Sequence, residues 1–262
     1  MVEHADSAPR SWFITSDELF ISEDGYLRIP HPNAQAPIRL LCFPPAGAEG
    51  FMYDGWVALL PESIELCAVQ LPDSDQYRES ATVISLLGET ILHHAREGQQ
   101  LVFCGICLGA FWAYEVARYL FEKYGIELAH FVVTTFPAPH VRGKITAYMR
   151  TSAFTDMMIS YMPEGSPEQQ YAVSRVPVMM HDADLADQET APLTTPLHCP
   201  ITAFGSSHDQ VVDPESMWSW QGYTDANFRV HICDGDHFYA DHHLADYLEA
   251  LIGYLKADGL QI

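Results

Sequence analysis

Basic residues are scarce in this chain: 13 lysines and arginines stand against 35 aspartates and glutamates, a formal net charge of −22 over 262 residues. So strong a negative field argues against nucleic acid or an anionic membrane surface as a partner. No apolar stretch approaches the roughly 20 residues of a spanning helix. The opening MVEHADSAPR has neither the basic start nor the apolar run of a secretory signal, so a cytoplasmic protein is expected. Internal repeats and low-complexity segments are absent. The six cysteines, Cys42, Cys67, Cys104, Cys107, Cys199 and Cys233, sit mostly inside apolar runs. A chain of this length needs no disulfide scaffold, so reduced core thiols are expected, and any cysteine outside that pattern needs its own explanation. Core-forming material, by contrast, is plentiful. With 48% apolar and 12% aromatic residues the chain buries a large core, which implies one globular domain over residues 1–262.

From Ile38 onward, apolar strand-like runs alternate with stretches of helical period, which predicts an α/β protein with a parallel sheet. The strand candidates are Ile38 to Phe43, Ile64 to Leu71, Leu101 to Cys104, Phe131 to Phe136, Ile201 to Phe204 and Phe228 to Cys233. Their near-continuous apolar character suits strands covered on both faces. Helices are expected over Thr82 to Arg96, Leu108 to Tyr124 (stopped by Gly125) and Leu244 to Leu255. Two segments break the alternation. ELFISEDGYLRIP reads as two short strands around Asp24-Gly25, a pair suited to a tight turn, and predicts an N-terminal β-hairpin extension at the sheet's edge. Residues 140–196 lack strand character and are too long for a bare loop, so a helical lid inserted between two strands is expected.

In LVFCGICLGAFWAYEVARYL a short strand runs through Gly105-Ile106-Cys107-Leu108-Gly109 directly into a helix. Glycines two before and two after the central residue are what a sharp strand-to-helix turn needs, because helix and strand approach too closely there for Cβ atoms. The pattern is G-x-S-x-G with sulfur in place of oxygen. Cys107 would project into a cleft, where the helix N-terminus favours its thiolate and the N–H of Leu108 meets an oxyanion. Later in the chain come an acid and then a histidine at strand ends: Asp209 after CPITAFG, and His237 in DGDHFYADHH. The expected roles are Cys107 as nucleophile, His237 as base and Asp209 as orienter of the ring. Asp213, Asp234 and Asp236 rival Asp209, and His208 and His242 rival His237. The loop Phe43-Pro44-Pro45-Ala46-Gly47-Ala48 follows the first long strand, and small residues there let the Ala46 backbone supply a second oxyanion donor. Ile106, Phe111 and Trp112 are candidates for the substrate pocket.

CFPPAGA, Trp56, Leu60-Pro61, IELCAVQLP, the elbow with GAFWAYEVARYL, CPITAFG with its aspartate, and DGDHFYADH together resemble the stand-alone type II thioesterases of nonribosomal peptide and polyketide assembly lines. The likeness runs from about Ile38 to Leu255. It implies an α/β-hydrolase fold, a mostly parallel central sheet flanked by helices, with a mobile helical lid. It also implies acyl thioesters as substrates, carried on the phosphopantetheine arm of an acyl or peptidyl carrier protein, with no metal and no diffusible cofactor. A monomer is expected. Three departures stand out: Ile106-Cys107 where the family has His-Ser, Leu71-Pro72-Asp73-Ser74 where it has LPGR, and the added hairpin.

An acyl group moved from pantetheine sulfur to Cys107 remains a thioester, so the step is close to isoenergetic and is readily reversed by another thiol. That suits transfer between carriers, and similar proteins with a cysteine elbow include stand-alone aminoacyltransferases. Hydrolysis through a positioned water and Dieckmann-type cyclisation use the same nucleophile. A non-catalytic carrier-binding module is the alternative of another class. Lesser features have plainer readings beside functional ones. Cys104 and Cys107 spell C-x-x-C; His237, Asp241, His242 and His243 cluster near one another; Arg142, Lys144 and Arg150 form a basic patch that either meets a phosphate or is a solvated lid face.

Overall fold

The computed structural model describes residues 19–72, 77–188 and 196–262. One eight-stranded sheet runs through it: β1 (Phe20–Ile21), β2 (Leu27–Ile29), β3 (Ile38–Phe43), β4 (Ile64–Val69), β5 (Gln100–Ile106), β6 (His130–Thr134), β7 (Ile201–Ser206) and β8 (Phe228–Cys233). Their order across the sheet is β1-β2-β4-β3-β5-β6-β7-β8. Strands β3 to β8 are mutually parallel, and β1 and β2 are antiparallel to each other, with β2 antiparallel to β4. Every residue of β3, β4, β6 and β7 is buried, as their continuous apolar runs require. This is the α/β-hydrolase fold. From β3 the chain steps outward to β4 and returns to the other side of β3 as β5, so the carboxyl ends of β3 and β5 flank a switch point, where such sheets open a crevice.

The hairpin lies at the sheet's edge. Gly25 takes φ +80°, and the Asp24 carboxylate accepts from the Ser22 hydroxyl (2.6 Å) and the Tyr26 N–H (3.1 Å), closing the turn. The regular helices are α1 (Ser80–His94), α2 (Gly109–Tyr124), α3 (Gly143–Met149), α4 (Ser152–Ser160), α5 (Pro167–Gln188), α6 (Tyr239–His242) and α7 (Leu244–Ala257). Helix α2 ends at Gly125, whose φ of +66° satisfies the last carbonyls of the helix. Helix α7 inserts Tyr247 beneath the sheet's centre, where its hydroxyl meets Thr134 Oγ1 at 2.7 Å and Cys104 Sγ at 3.4 Å. Cys104 is therefore a buried strand residue whose thiol meets Tyr247 and lies opposite Cys42 on β3.

Strand ends differ from expectation by a few residues. Strand β5 continues to Ile106, bringing the sheet to the foot of the elbow, while β6 stops at Thr134 because Thr135 turns to φ +50°. Two 3-10 segments, Gly50–Leu59 and Pro214–Tyr223, carry no 3.6-residue period and so left no helical signature in the sequence. Helices α3, α4 and α5 lie between β6 and β7, within the span expected to form a lid; residues 189–195 of that span, and Asp73 and Ser74, lie outside the described residues. No described helix is long and apolar enough to cross a membrane.

Candidate active site

Cys107 stands between β5 and α2 at φ +49°, a left-handed conformation that non-glycine residues seldom adopt and that persists only when surrounding structure enforces it. Three contacts enforce it. The Cys107 N–H donates to the Thr134 carbonyl at 2.9 Å, tying the turn to β6. A Cβ on Gly105 would fall 2.3 Å from Ala110 Cα, and one on Gly109 would fall 2.2 Å from the Phe43 carbonyl oxygen. Only glycine permits either approach, and the second presses the start of α2 against the loop after β3. The N–H groups of Leu108 and Ala46 have no acceptor among the described residues, and Ala46 lines the same cleft as Cys107. Both sequence-predicted oxyanion donors are thus open and on facing segments.

His237 follows β8 and is 6% exposed. Its Nδ1 lies 2.8 Å from Asp209 Oδ2, with both side chains almost wholly buried. The other Asp209 oxygen accepts from the N–H groups of Val211 (2.8 Å) and Val212 (3.0 Å), which fixes the carboxylate's direction. Burial opposes the imidazolium, but the hydrogen bond to Asp209 and the influence of Cys107 outweigh it and raise His237 to about 10. The rivals are engaged elsewhere. Asp213 caps the 214–223 segment, Asp236 accepts from the Phe238 N–H and faces His242 at 3.4 Å, and Asp234 sits at the surface beside Ser207 and His208. Of the candidates, Cys107, His237 and Ile106 share one cleft, with Asp209 behind the ring. Among the described residues no group of three or more His, Cys, Asp or Glu side chains is placed to hold a metal ion.

The cleft opens to solvent, and its non-atom space, solvent at the mouth included, is about 430 Å³. Met149, Phe154, Met158 and Met179 from the helices between β6 and β7 form its apolar wall, and flexible thioethers adapt readily to varied acyl shapes. Phe111 and Trp112 are placed otherwise than expected. Phe111 is fully buried under the Arg142 guanidinium (4.8 Å), and Trp112 lines a separate small cavity with Tyr77, His181 and Asp182. The reason is geometric: at 1.5 Å per residue, positions four and five beyond Cys107 lie about 6 to 7.5 Å down the helix from the elbow. The basic patch is also mostly engaged. Arg142 donates to the Pro139 and Ala186 carbonyls, and Arg150 pairs with Asp184 (2.7 Å) and Asp187 (2.8 Å), leaving Lys144 as the exposed member.

Sequence reasoning missed how α5 grips the loop after β3. Gly47, at φ +73°, donates its N–H to Asp182 Oδ2 (2.8 Å) and accepts from Arg175 Nε at its carbonyl (2.7 Å). Asp182 is buried, and burial raises its pKa to about 6 against the pull of that N–H. No local signal marks this contact, which joins residues 135 apart. Asp241 was visible only as one member of an acidic and histidine-rich cluster; it proves to be the carboxylate lining the cleft.

A sheet of this order, an elbow at its centre and an acid–histidine pair beyond the last two strands place the protein among the α/β hydrolases. Residues 38–257 match the model of the Thioesterase domain family, and the chain belongs to that family. It is 28% identical over 235 residues to "Linear gramicidin dehydrogenase LgrE" of Brevibacillus parabrevis, covering 84% of this chain and 88% of that protein. It is also 28% identical over 219 residues to "Gramicidin S biosynthesis protein GrsT" of Aneurinibacillus migulanus, covering 79% and 84% respectively. Among solved structures, the RedJ thioesterase from the prodiginine biosynthetic pathway in Streptomyces coelicolor superposes with a TM-score of 0.73 at 26% identity, covering 85% of this chain and 87% of that one.

Proposed function

We propose that the protein is a cysteine-dependent acyl-thioester enzyme of peptide or polyketide assembly, which takes an acyl or aminoacyl group from one carrier protein and passes it to another carrier thiol. The observation that carries this reading is Cys107, held at a left-handed elbow in the same cleft as a histidine that Asp209 orients. The Cys107 thiolate attacks the thioester carbonyl, the oxyanion forms against the Leu108 and Ala46 N–H groups, and the bond to pantetheine sulfur breaks as His237 protonates the departing thiolate. A second carrier thiol then gives its proton to His237 and attacks the acyl-S-Cys107 carbonyl, releasing the Cys107 thiolate. No resident cofactor is required, because the pantetheine arm arrives with its carrier. Family membership and the biosynthetic relatives support thioester chemistry, and sulfur as nucleophile favours reversible transfer over irreversible release.

Intact-protein mass spectrometry tests the reading. The enzyme is mixed with acyl- and aminoacyl-loaded carrier proteins, and unloaded carrier is then added. The expected result is an acyl adduct on Cys107 that moves to the second carrier and is absent from Cys107→Ala. An adduct that decays to free acid or to a cyclic product assigns hydrolysis or cyclisation instead. An alanine variant that still discharges the substrate overturns the nucleophile assignment.

A further inference from the structure

The cleft around Cys107 is apolar except for its catalytic pair and one further group, the Asp241 carboxylate. Asp241 lies in α6, one helical turn beyond His237, and its backbone N–H is used by the Phe238 carbonyl. Its carboxylate makes no hydrogen bond and no ion pair with any described residue. That distinguishes it from the acids around it: Asp209 holds His237, Asp236 faces His242, and Asp182 holds Gly47. Asp241 is an exposed residue, and the protein packed beside its carboxyl holds the pKa above the ordinary carboxylate range, against the lowering pull of His242 and His237. An unpaired carboxylate against thioether and phenyl walls is a poor neighbour for a plain acyl chain, because binding such a chain strips its water and returns nothing. It is a good neighbour for a cation.

We propose that Asp241 is the specificity residue for a positively charged acyl group, and that it takes the ammonium of an α-aminoacyl thioester. The proposal rests on the reading of Cys107 as the acylated residue. With the carbonyl oxygen against Ala46 and Leu108 and the carbon facing Cys107, the ammonium of an aminoacyl group lies only two bonds from the reacting carbon. It must therefore sit close to the Cys107–His237 pair, and Asp241, four residues beyond His237, is the acidic residue among those lining the same cleft. The side chain of the amino acid is then left to the methionine wall. A site in which the bound acyl group covers such an acid also rejects the analogue lacking the charge, since the acid then loses water without gaining a partner.

The test separates this proposal from the chemistry at Cys107. In a Cys107→Ala background, binding of glycyl- and acetyl-aminopantetheine amides is measured by calorimetry; these probes differ in the amino group alone and are small enough that pocket shape does not decide. The expected result is a preference of roughly 10- to 100-fold for the glycyl probe, the size of a charge-assisted hydrogen bond in a partly desolvated site. Adding Asp241→Asn should bring the ratio to about one without weakening the acetyl probe, and Asp241→Glu should restore part of it. Equal affinities in the parent, or a preference that survives Asp241→Asn, would overturn the proposal. A purely structural or His237-directed role is detected separately: in protein with Cys107 intact, Asp241→Asn should leave the plateau rate of Cys107 alkylation unchanged, its pH profile displaced only by the lost charge near His237. If both probes weaken equally and that plateau falls, Asp241 acts through His237 and the proposal fails. Absence of any acyl adduct on Cys107 in the mass-spectrometric experiment would instead overturn the underlying reading.

Discussion

Replacing Asp209 by asparagine keeps the shape of the site and removes its logic. The amide introduced by Asp209→Asn still offers one oxygen to the Val211 and Val212 N–H groups, which in the parent lie 2.8 and 3.0 Å from Oδ1. Its NH₂ then faces His237 Nδ1 at the 2.8 Å position now held by the carboxylate, so donor meets donor. The ring must present a bare Nδ1 and carry its proton on Nε2, the tautomer that cannot accept from the thiol. Loss of the orienting acid in such arrangements lowers turnover by about 10³- to 10⁴-fold, or ~4 to 5.5 kcal/mol of transition-state stabilisation. The assay is the rate of iodoacetamide modification of Cys107 at pH 7, read by peptide mapping, beside acyl loading from a carrier. Burial pushes the thiols of Cys67 and Cys199 up to about 12 and that of Cys233 to about 11, so these sites stay silent. Stability supplies a second readout. His237 is raised from its ordinary 6.5 to about 10, so its contribution is fully present below pH 6.5 and is lost as pH rises through about 10. Parent stability should fall across that window, and the Asp209→Asn variant should show a flatter profile. An Asp209→Asn variant that alkylates and loads at the parent rate would refute the arrangement of the triad.

Gly109→Ala should destabilise the protein by about 3 kcal/mol or more and abolish acyl loading, because its Cβ would sit 2.2 Å from the Phe43 carbonyl oxygen; thermal melting and loading assays check it. Gly25→Ala at the hairpin turn, also at positive φ but with open space around it, should cost only about 1 kcal/mol and leave loading intact. Asp182 is raised from 3.8 to about 6, so the folded state holds its proton more tightly and stability falls as pH rises between those values by up to ~3 kcal/mol. Asp182→Asn keeps an acceptor for the Gly47 N–H and should therefore remove that slope in melting curves taken from pH 4 to 7. A slope unchanged in the variant would place the titration elsewhere.

The inner parallel strands were legible because burial on both faces leaves a nearly continuous apolar run, and β3 matches its expected limits residue for residue; the edge strand β8 also keeps its expected limits although it is only partly buried. The elbow was legible because close packing demands glycine, and Gly105 and Gly109 stand where a Cβ would strike backbone. Asp209 and His237 were readable from topology, since both follow strand ends on the side of the sheet where the elbow projects. Phe111 and Trp112 were misplaced because adjacency in sequence to a nucleophile says little about a helix that runs away from it. Arg142 departs from both readings of the basic patch for a related reason: what an arginine meets depends on backbone carbonyls such as that of Ala186, 44 residues away, and carbonyls leave no trace in sequence.

The helix that walls the cleft and the loop that carries an oxyanion donor are one mechanical unit. Helix α5 supplies Met179 to the wall and, from the same face, Arg175 to the Gly47 carbonyl and Asp182 to the Gly47 N–H. Gly47 has no Cβ to separate them: one placed there would lie 3.0 Å from Met179 Cβ. The Gly47 N–H is spent on Asp182, and the peptide between Ala46 and Gly47 is thereby fixed in orientation one residue from the open Ala46 N–H. Any movement of α5 away from the cleft breaks one charge-assisted bond at each of the two Gly47 backbone groups and frees the loop to turn. On the proposed reaction, a displacement of α5 that admits a pantetheine arm would release the Ala46–Gly47 peptide, and the return of the helix would fix it again. In the proposed transfer, that coupling would favour a thiol delivered on an arm over solvent as the acceptor.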